Sequence, residues 1–349
     1  MSATFRVALS GDFKKPDGSP TYPDFDLDQL VSAPDIEMAF LEPSDPIRGE
    51  QLEEFDALIL LAHRFGRESI PKSGRLAVVA RFGVGYDTVD VGACTKAGIA
   101  LVITPDGVRR PVAVSILTFM LALTGKLIAK DRLTRAADAG YARRSEHMGT
   151  GLVGRTFGSI GIGNIGTEVF RLLKPFGMKL AAYDPYADTA VATELGVELV
   201  GLDDLFRRSD ILSVSVPLTT ETHHLVNEER LRLMKPTAYL INTARGPIVD
   251  QKAITKALRE GWIAGAGLDV LEKEPPDPND PILRLDNVIL TPHALCWTDQ
   301  CFAGNGAADV QAVLEVQHGR VPRGVVNREV LENPAWKERL AHFRSRFEG

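Results

Sequence analysis

Three polar residues in the second half of the chain are of the types needed to move a proton at a carbonyl oxygen: Arg245 in INTARGPIVD, Glu274 in GAGLDVLEKEPP and His293 in NVILTPHALCWT. A planar guanidinium grips a carboxylate through two parallel hydrogen bonds, which orients the adjacent carbonyl. Imidazole, with an ordinary pKa of about 6.5, can give a proton to the carbonyl oxygen or take it back near neutral pH. A carboxylate such as Glu274 would hold the imidazolium. Taken singly, these residues read equally well as a surface ion-pair partner, a turn residue and a loop histidine. Only as an ordered set do they point to chemistry.

Proton transfer at a carbonyl needs a hydride partner, and the sequence offers a seat for one. GIGNIG, Gly161 to Gly166, follows an apolar run and opens a helix-like one, the context a dinucleotide fingerprint requires. Gly161 would allow the tight turn, Gly163 would let backbone reach a pyrophosphate, and Gly166 would let helix and strand approach. Amides near Asn164 and Ile165 would face the phosphates. Asp184 closes the next strand-like run, 18 residues after Gly166, where a carboxylate would accept hydrogen bonds from a ribose and repel a 2′-phosphate. NAD is therefore expected over NADP.

The elements that must position these residues are legible as short apolar runs bounded by turns. One series comprises 5–9, 36–40, 57–61, 76–80 and 100–103; a second comprises 159–162, 180–183, 211–216, 238–242, 264–269 and 288–290. Strands alternating with helix-like segments predict an α/β protein of two doubly wound parallel-sheet domains. Asn227 and Asp250 read as helix caps. Residues 106–111, with Pro111, read as a hinge before an apolar helix over 112–125 expected to be buried. The domains are accordingly placed at 1–108 and 109–300, with 301–349, including a helix over 307–318, returning to the first.

A length of 349 residues fits two cores, and a net charge of −6 gives no reason to expect nucleic acid or an anionic membrane as partner. The three cysteines, Cys94, Cys296 and Cys301, are too few for a disulfide framework and lack metal-ligand spacing. The start MSATFRVALSGDFKK lacks the marks of a secretory signal, so a cytoplasmic location is expected. The apolar run at 112–125 is shorter than the roughly 20 residues of a membrane span.

From RFGVGYDTVD through GIGNIG to TPH, the chain resembles the D-isomer-specific 2-hydroxyacid dehydrogenase family. The resemblance implies a Rossmann NAD-binding domain, a flavodoxin-like substrate domain, a cleft between them and a homodimer acting on a small 2-hydroxy or 2-keto acid. It further implies that Arg245 fixes the substrate carboxylate with the amides of Val84 and Gly85, that His293 exchanges the proton with Glu274 behind it, and that Asp269 meets the nicotinamide carboxamide. Pro217, Thr222, Thr243 and Ala244, in turns after later strands, complete the cofactor candidates. The family's usual Val-Ala-Glu is Val112-Ala113-Val114 here, and Leu295-Cys296-Trp297 replace small residues after the histidine, Trp297 adding a rigid wall on the substrate side. Arg109 and Arg110 are candidates for a second anionic group or for plain surface charge, and His63 for the substrate loop. His223 and His224 are expected at the surface, pointing apart. Formate or phosphite oxidation, and an NADH-sensing role like that of the C-terminal-binding corepressors, are the alternatives.

Overall fold

The computed structural model describes residues 4–22, 25 and 27–347. Its contacts divide the chain into two compact units, 1–108 with 297–349, and 109–296. The second border falls at Cys296 rather than at 300 because Trp297 packs edge-on against Tyr22 and Phe302 of the first unit, at 5.1 and 5.7 Å between ring centroids.

The first unit is built on a parallel sheet of β1 (Phe5–Leu9), β2 (Ile36–Phe40), β3 (Ala57–Leu60), β4 (Val78–Arg81) and β5 (Ala100–Ile103) in the order β2-β1-β3-β4-β5. All of β3 is buried, as a strand covered on both faces must be. The late segment supplies much of that cover. Asn327 accepts from the Leu101 N–H at 2.8 Å and donates to the Ile99 carbonyl at 2.9 Å. Trp336, 2% exposed, donates to the Ala77 carbonyl, and Phe343 packs edge-on against Phe5. The helix of this segment runs Asp299–Gln317, starting earlier than 307 because the Thr298 side chain caps it by accepting from the Cys301 N–H.

The second unit carries β6 (Thr156–Ile160), β7 (Lys179–Tyr183), β8 (Val197–Leu199), β9 (Ile211–Val214), β10 (Tyr239–Asn242), β11 (Gly265–Leu268) and β12 (Val288–Leu290), all parallel, in the order β12-β11-β10-β9-β6-β7-β8. This is the doubly wound order whose reversal lies between β6 and β9. β6 sits earlier than the expected 159–162: the Thr156 N–H is anchored on Asp210 at 2.9 Å, and Gly161, at φ +97°, turns the chain out of the sheet. β8 is a short edge strand with one buried residue, too weak a pattern to register in the sequence.

The border between the units falls after Val108, within the expected 106–111, but Pro111 does not break the chain there. One helix runs Pro105–Thr124 straight through Pro111. Pro111 costs it one backbone donor, and burial of Ala113, Ile116, Phe119 and Met120 outweighs that loss. By length and composition this helix could cross a membrane, yet more than half of its apolar window is buried inside the protein. The burial is one-sided, with Val114 and Leu121 facing out. Asn227 and Asp250 cap their helices by accepting from the N–H groups of Arg230 and Ala253.

Candidate active site

Each polar residue of the candidate set is delivered by the carboxyl end of a strand in the second unit. After β10, the buried Asn242 clamps the turn: its Oδ1 accepts from the Ala244 N–H at 3.0 Å and its Nδ2 donates to the Arg245 carbonyl at 2.9 Å. Gly246 then lets this turn lie directly on the Leu271 carbonyl, where a Cβ would collide. That close approach carries Arg245 toward the loop that holds Glu274.

After β11, Asp269 is 3% exposed and organises the next loop. Its Oδ1 accepts from the Thr291 hydroxyl at 2.6 Å and from the N–H groups of Ala294 and Leu295 at 3.0 and 3.1 Å, while its carbonyl accepts from the His293 N–H at 2.7 Å. These bonds hold His293 at φ +54°, a left-handed backbone that a non-glycine residue keeps only when its surroundings enforce it.

The His293 Nδ1–H donates to Glu274 Oε2 at 2.8 Å, and the other Glu274 oxygen accepts from the Leu271 N–H at 2.9 Å. Burial by itself pushes the Glu274 carboxyl up. The bonds from His293 and Leu271, with the charges of His293 and Arg245, outweigh it and hold the group below the usual carboxylate range. Arg245, Glu274 and His293 thus form one electrostatic group. Arg245 is half-buried, with Nη1 donating to the Ala244 carbonyl at 2.7 Å.

At the reversal of strand order, Gly161 lies against the Ser215 carbonyl and Gly166 against the Gly161 carbonyl, each 2.5 Å from where a Cβ would stand, whereas a Cβ on Gly163 would meet nothing within 4 Å. Gly163 precedes the helix Asn164–Leu173, whose end no side chain caps. Ile165 is half-buried in its first turn. Asp184 accepts from the Ile162 and Tyr186 N–H groups at 3.0 and 2.8 Å, which fixes its carboxylate beside the fingerprint. Thr222 donates to the Pro217 carbonyl at 2.7 Å in the turn after β9, and Thr243 is half-buried after β10.

A family model described as "D-isomer specific 2-hydroxyacid dehydrogenase, NAD binding domain" matches residues 117–294. A glyoxylate reductase of Korarchaeum cryptofilum is 40% identical over 292 residues, covering 83% of this chain and 88% of that protein. The chain belongs to the D-isomer specific 2-hydroxyacid dehydrogenase family. Solved members of similar fold include D-lactate dehydrogenase of Escherichia coli, at TM-score 0.74 and 28% identity over 92% of this chain and all of that one. D-mandelate dehydrogenase of Rhodotorula graminis gives 0.76 and 28% over 90% and 94%.

The family's cofactor is NAD, and this chain's turn fits it. Gly163 leaves open backbone where phosphate must approach, the uncapped helix end suits negative charge, and Asp184 is a fixed acceptor for ribose hydroxyls. In the first unit, Gly83 at φ +118° is tied to the buried Thr104, whose hydroxyl donates to Asn305 at 2.7 Å. Val84 and Gly85 follow, and neither backbone N–H has a partner among the described residues. Trp297 lies half-exposed in the same unit.

Other candidates resolve differently. Arg110 pairs with the buried Glu168 at 2.8 Å, which spends its charge inside the fold, and Arg109 reaches Asn164 at 3.5 Å. His223 and His224 stack at 4.0 Å between centroids rather than pointing apart, because His224 takes a left-handed backbone and bonds to Glu272. Among the described residues no group of His, Cys, Asp and Glu side chains is placed to hold a metal ion. Sequence reasoning overlooked Asn242 and Thr291, and it gave Asp269 only a cofactor role. A buried amide or carboxylate closing an apolar strand is the signal that could have marked Asn242 and Asp269 as loop organisers.

Proposed function

We propose that this family member interconverts a 2-keto acid and its 2-hydroxy acid with NAD, using Arg245, Glu274 and His293. The observation that carries the reading is the His293–Glu274 hydrogen bond, in the same unit as the NAD fingerprint and under the charge of Arg245. The nicotinamide, when bound, supplies or accepts the hydride at the substrate carbon. Arg245 offers a planar fork to the carboxylate. His293, with Nδ1–H committed to Glu274, has Nε2 left to give a proton to the keto oxygen or take one from the hydroxyl. Glu274 stays ionised and steadies the imidazolium. Asp269 keeps the histidine loop in its strained form, so the ring needs no reordering before proton transfer.

Loss of NADH absorbance over a panel of 2-keto acids tests the activity, and His293→Ala tests the assignment. Its kcat should drop about 10²–10⁴-fold while NADH affinity by fluorescence stays within about threefold. Undiminished turnover in the variant would remove His293 from the chemistry. Tight NADH binding with no turnover of any acid would instead favour a sensor.

A further inference from the structure

Hydride transfer leaves an aromatic cluster in the first unit unaccounted for. Phe82 is the residue after β4, immediately before the Gly83–Gly85 turn. Its ring meets Phe13, just beyond β1, edge-on at 5.7 Å, Phe25 at 6.2 Å, and Phe302 in the first turn of helix Asp299–Gln317 at 5.6 Å. Phe302 lies 4.4 Å from Tyr22, and Trp297 stands edge-on to both. The cluster is graded in depth: Phe13, Phe82 and Phe302 are buried, Tyr22 is half-buried, and Trp297 is 49% exposed.

This gradient describes a wall with a packed back and an open front. Rings held edge-on by their neighbours are already ordered, so a ligand ring meeting them would cost little conformational entropy. Of the polar groups nearby, Asp12 is engaged within the protein, while His63 Nδ1 is buried 3.8 Å from it without a hydrogen bond. Asp12 accepts from the Ser10 hydroxyl at 2.5 Å and from the Ala62 and His63 N–H groups at 2.8 and 3.2 Å. These residues follow β1 and β3, the two strands that flank the reversal of order in this sheet, where doubly wound folds take their ligands. Beside these groups, the carboxyl edge of the sheet offers an aromatic cluster that begins at Phe82, two residues before Val84, the first of the backbone amides that would seat a carboxylate.

We infer that the substrate is an aromatic 2-keto acid of the arylpyruvate class, its ring lying against Trp297 and Tyr22 while its carboxylate is held at Val84 and Gly85. This inference rests on the proposed 2-keto acid activity and narrows it. A substrate with no side chain, such as glyoxylate, leaves the wall bare and gains nothing from it.

Initial rates of NADH oxidation with phenylpyruvate and with glyoxylate, on the full chain, give the deciding ratio. Phenylpyruvate should exceed glyoxylate in kcat/KM by roughly tenfold or more. Trp297→Ala and, separately, Tyr22→Leu should each cut that ratio by roughly tenfold, and Trp297→Phe should restore most of it. Wild-type preference for glyoxylate overturns the inference and leaves 2-keto acid reduction standing. Equal loss with both acids in Trp297→Ala and Tyr22→Leu assigns the rings to structure and overturns it as well. Reduction of no 2-keto acid removes the proposed function itself, and the inference with it.

Discussion

Glu274 is where the chemistry is most exposed to a single-atom test. Its carboxyl is held low against the cost of burial, so it stays ionised as pH falls below the ordinary range near 4.3. The stability it contributes is present above that range and fades as pH drops through its lowered folded value. Glu274→Gln keeps an acceptor for His293 Nδ1 and removes the charge. We expect kcat for keto-acid reduction to fall about 10–100-fold while NADH affinity by fluorescence is kept. An unchanged kcat would show that the carboxylate only orients the ring. That Arg245, Glu274 and His293 belong together was legible in the sequence because each follows a strand of one sheet, and the structure bonds His293 to Glu274 under the charge of Arg245. The left-handed backbone at His293 was not, since it is imposed by Asp269 from 24 positions earlier, a contact that no local pattern encodes.

Strands were easier to read than their ends. Apolar runs such as 57–61 and 288–290 fixed where β3 and β12 lie, whereas the bounds of β6 depend on Asp210 and on the turn at Gly161. Pro111 misled in the opposite sense: a local break signal lost to one buried face of a long helix. Helix Asp299–Gln317 carries a comparable conflict. Asp309 is fully buried, with neither carboxylate oxygen hydrogen-bonded among the described residues. Desolvation pushes it well above the usual carboxylate range despite the nearby charge of Arg81. A carboxyl raised in the folded state contributes no penalty below its unfolded pKa, and costs stability progressively as pH rises toward the folded value. Asp309→Asn should therefore gain on the parent as pH is raised from 5 to 9, with a melting temperature higher by a few degrees, roughly 1 kcal/mol, at the alkaline end. A constant difference across that range would mean that Asp309 is ionised throughout.

At the scale of the whole molecule, the two series of strands foretold two sheets because each run is short, apolar and bounded by turns. Strand order was not legible, since it is set by pairings between segments far apart in the chain. The unit 109–296 presents Leu121, Leu127, Ile128, Tyr141 and Met148 to solvent, five large apolar side chains within a short stretch of sequence. A second copy of the chain is the proposed cover for them. Sedimentation velocity should return twice the chain mass, and Leu121→Glu combined with Ile128→Glu should shift it toward the monomer; a wild-type monomer at micromolar concentration would rule the homodimer out.

The late segment that covers β5 through Asn327 and buries Trp336 against Ala77 also bears on how the protein is made. The unit 109–296 is one uninterrupted stretch and can close as soon as it leaves the ribosome. The sheet that begins at Phe5 has all five of its strands by Ile103, but the segment that covers it does not yet exist then. Its uncovered face must wait through the synthesis of nearly two hundred intervening residues, so the packing of residues 5–103 depends on a segment made after the whole of 109–296.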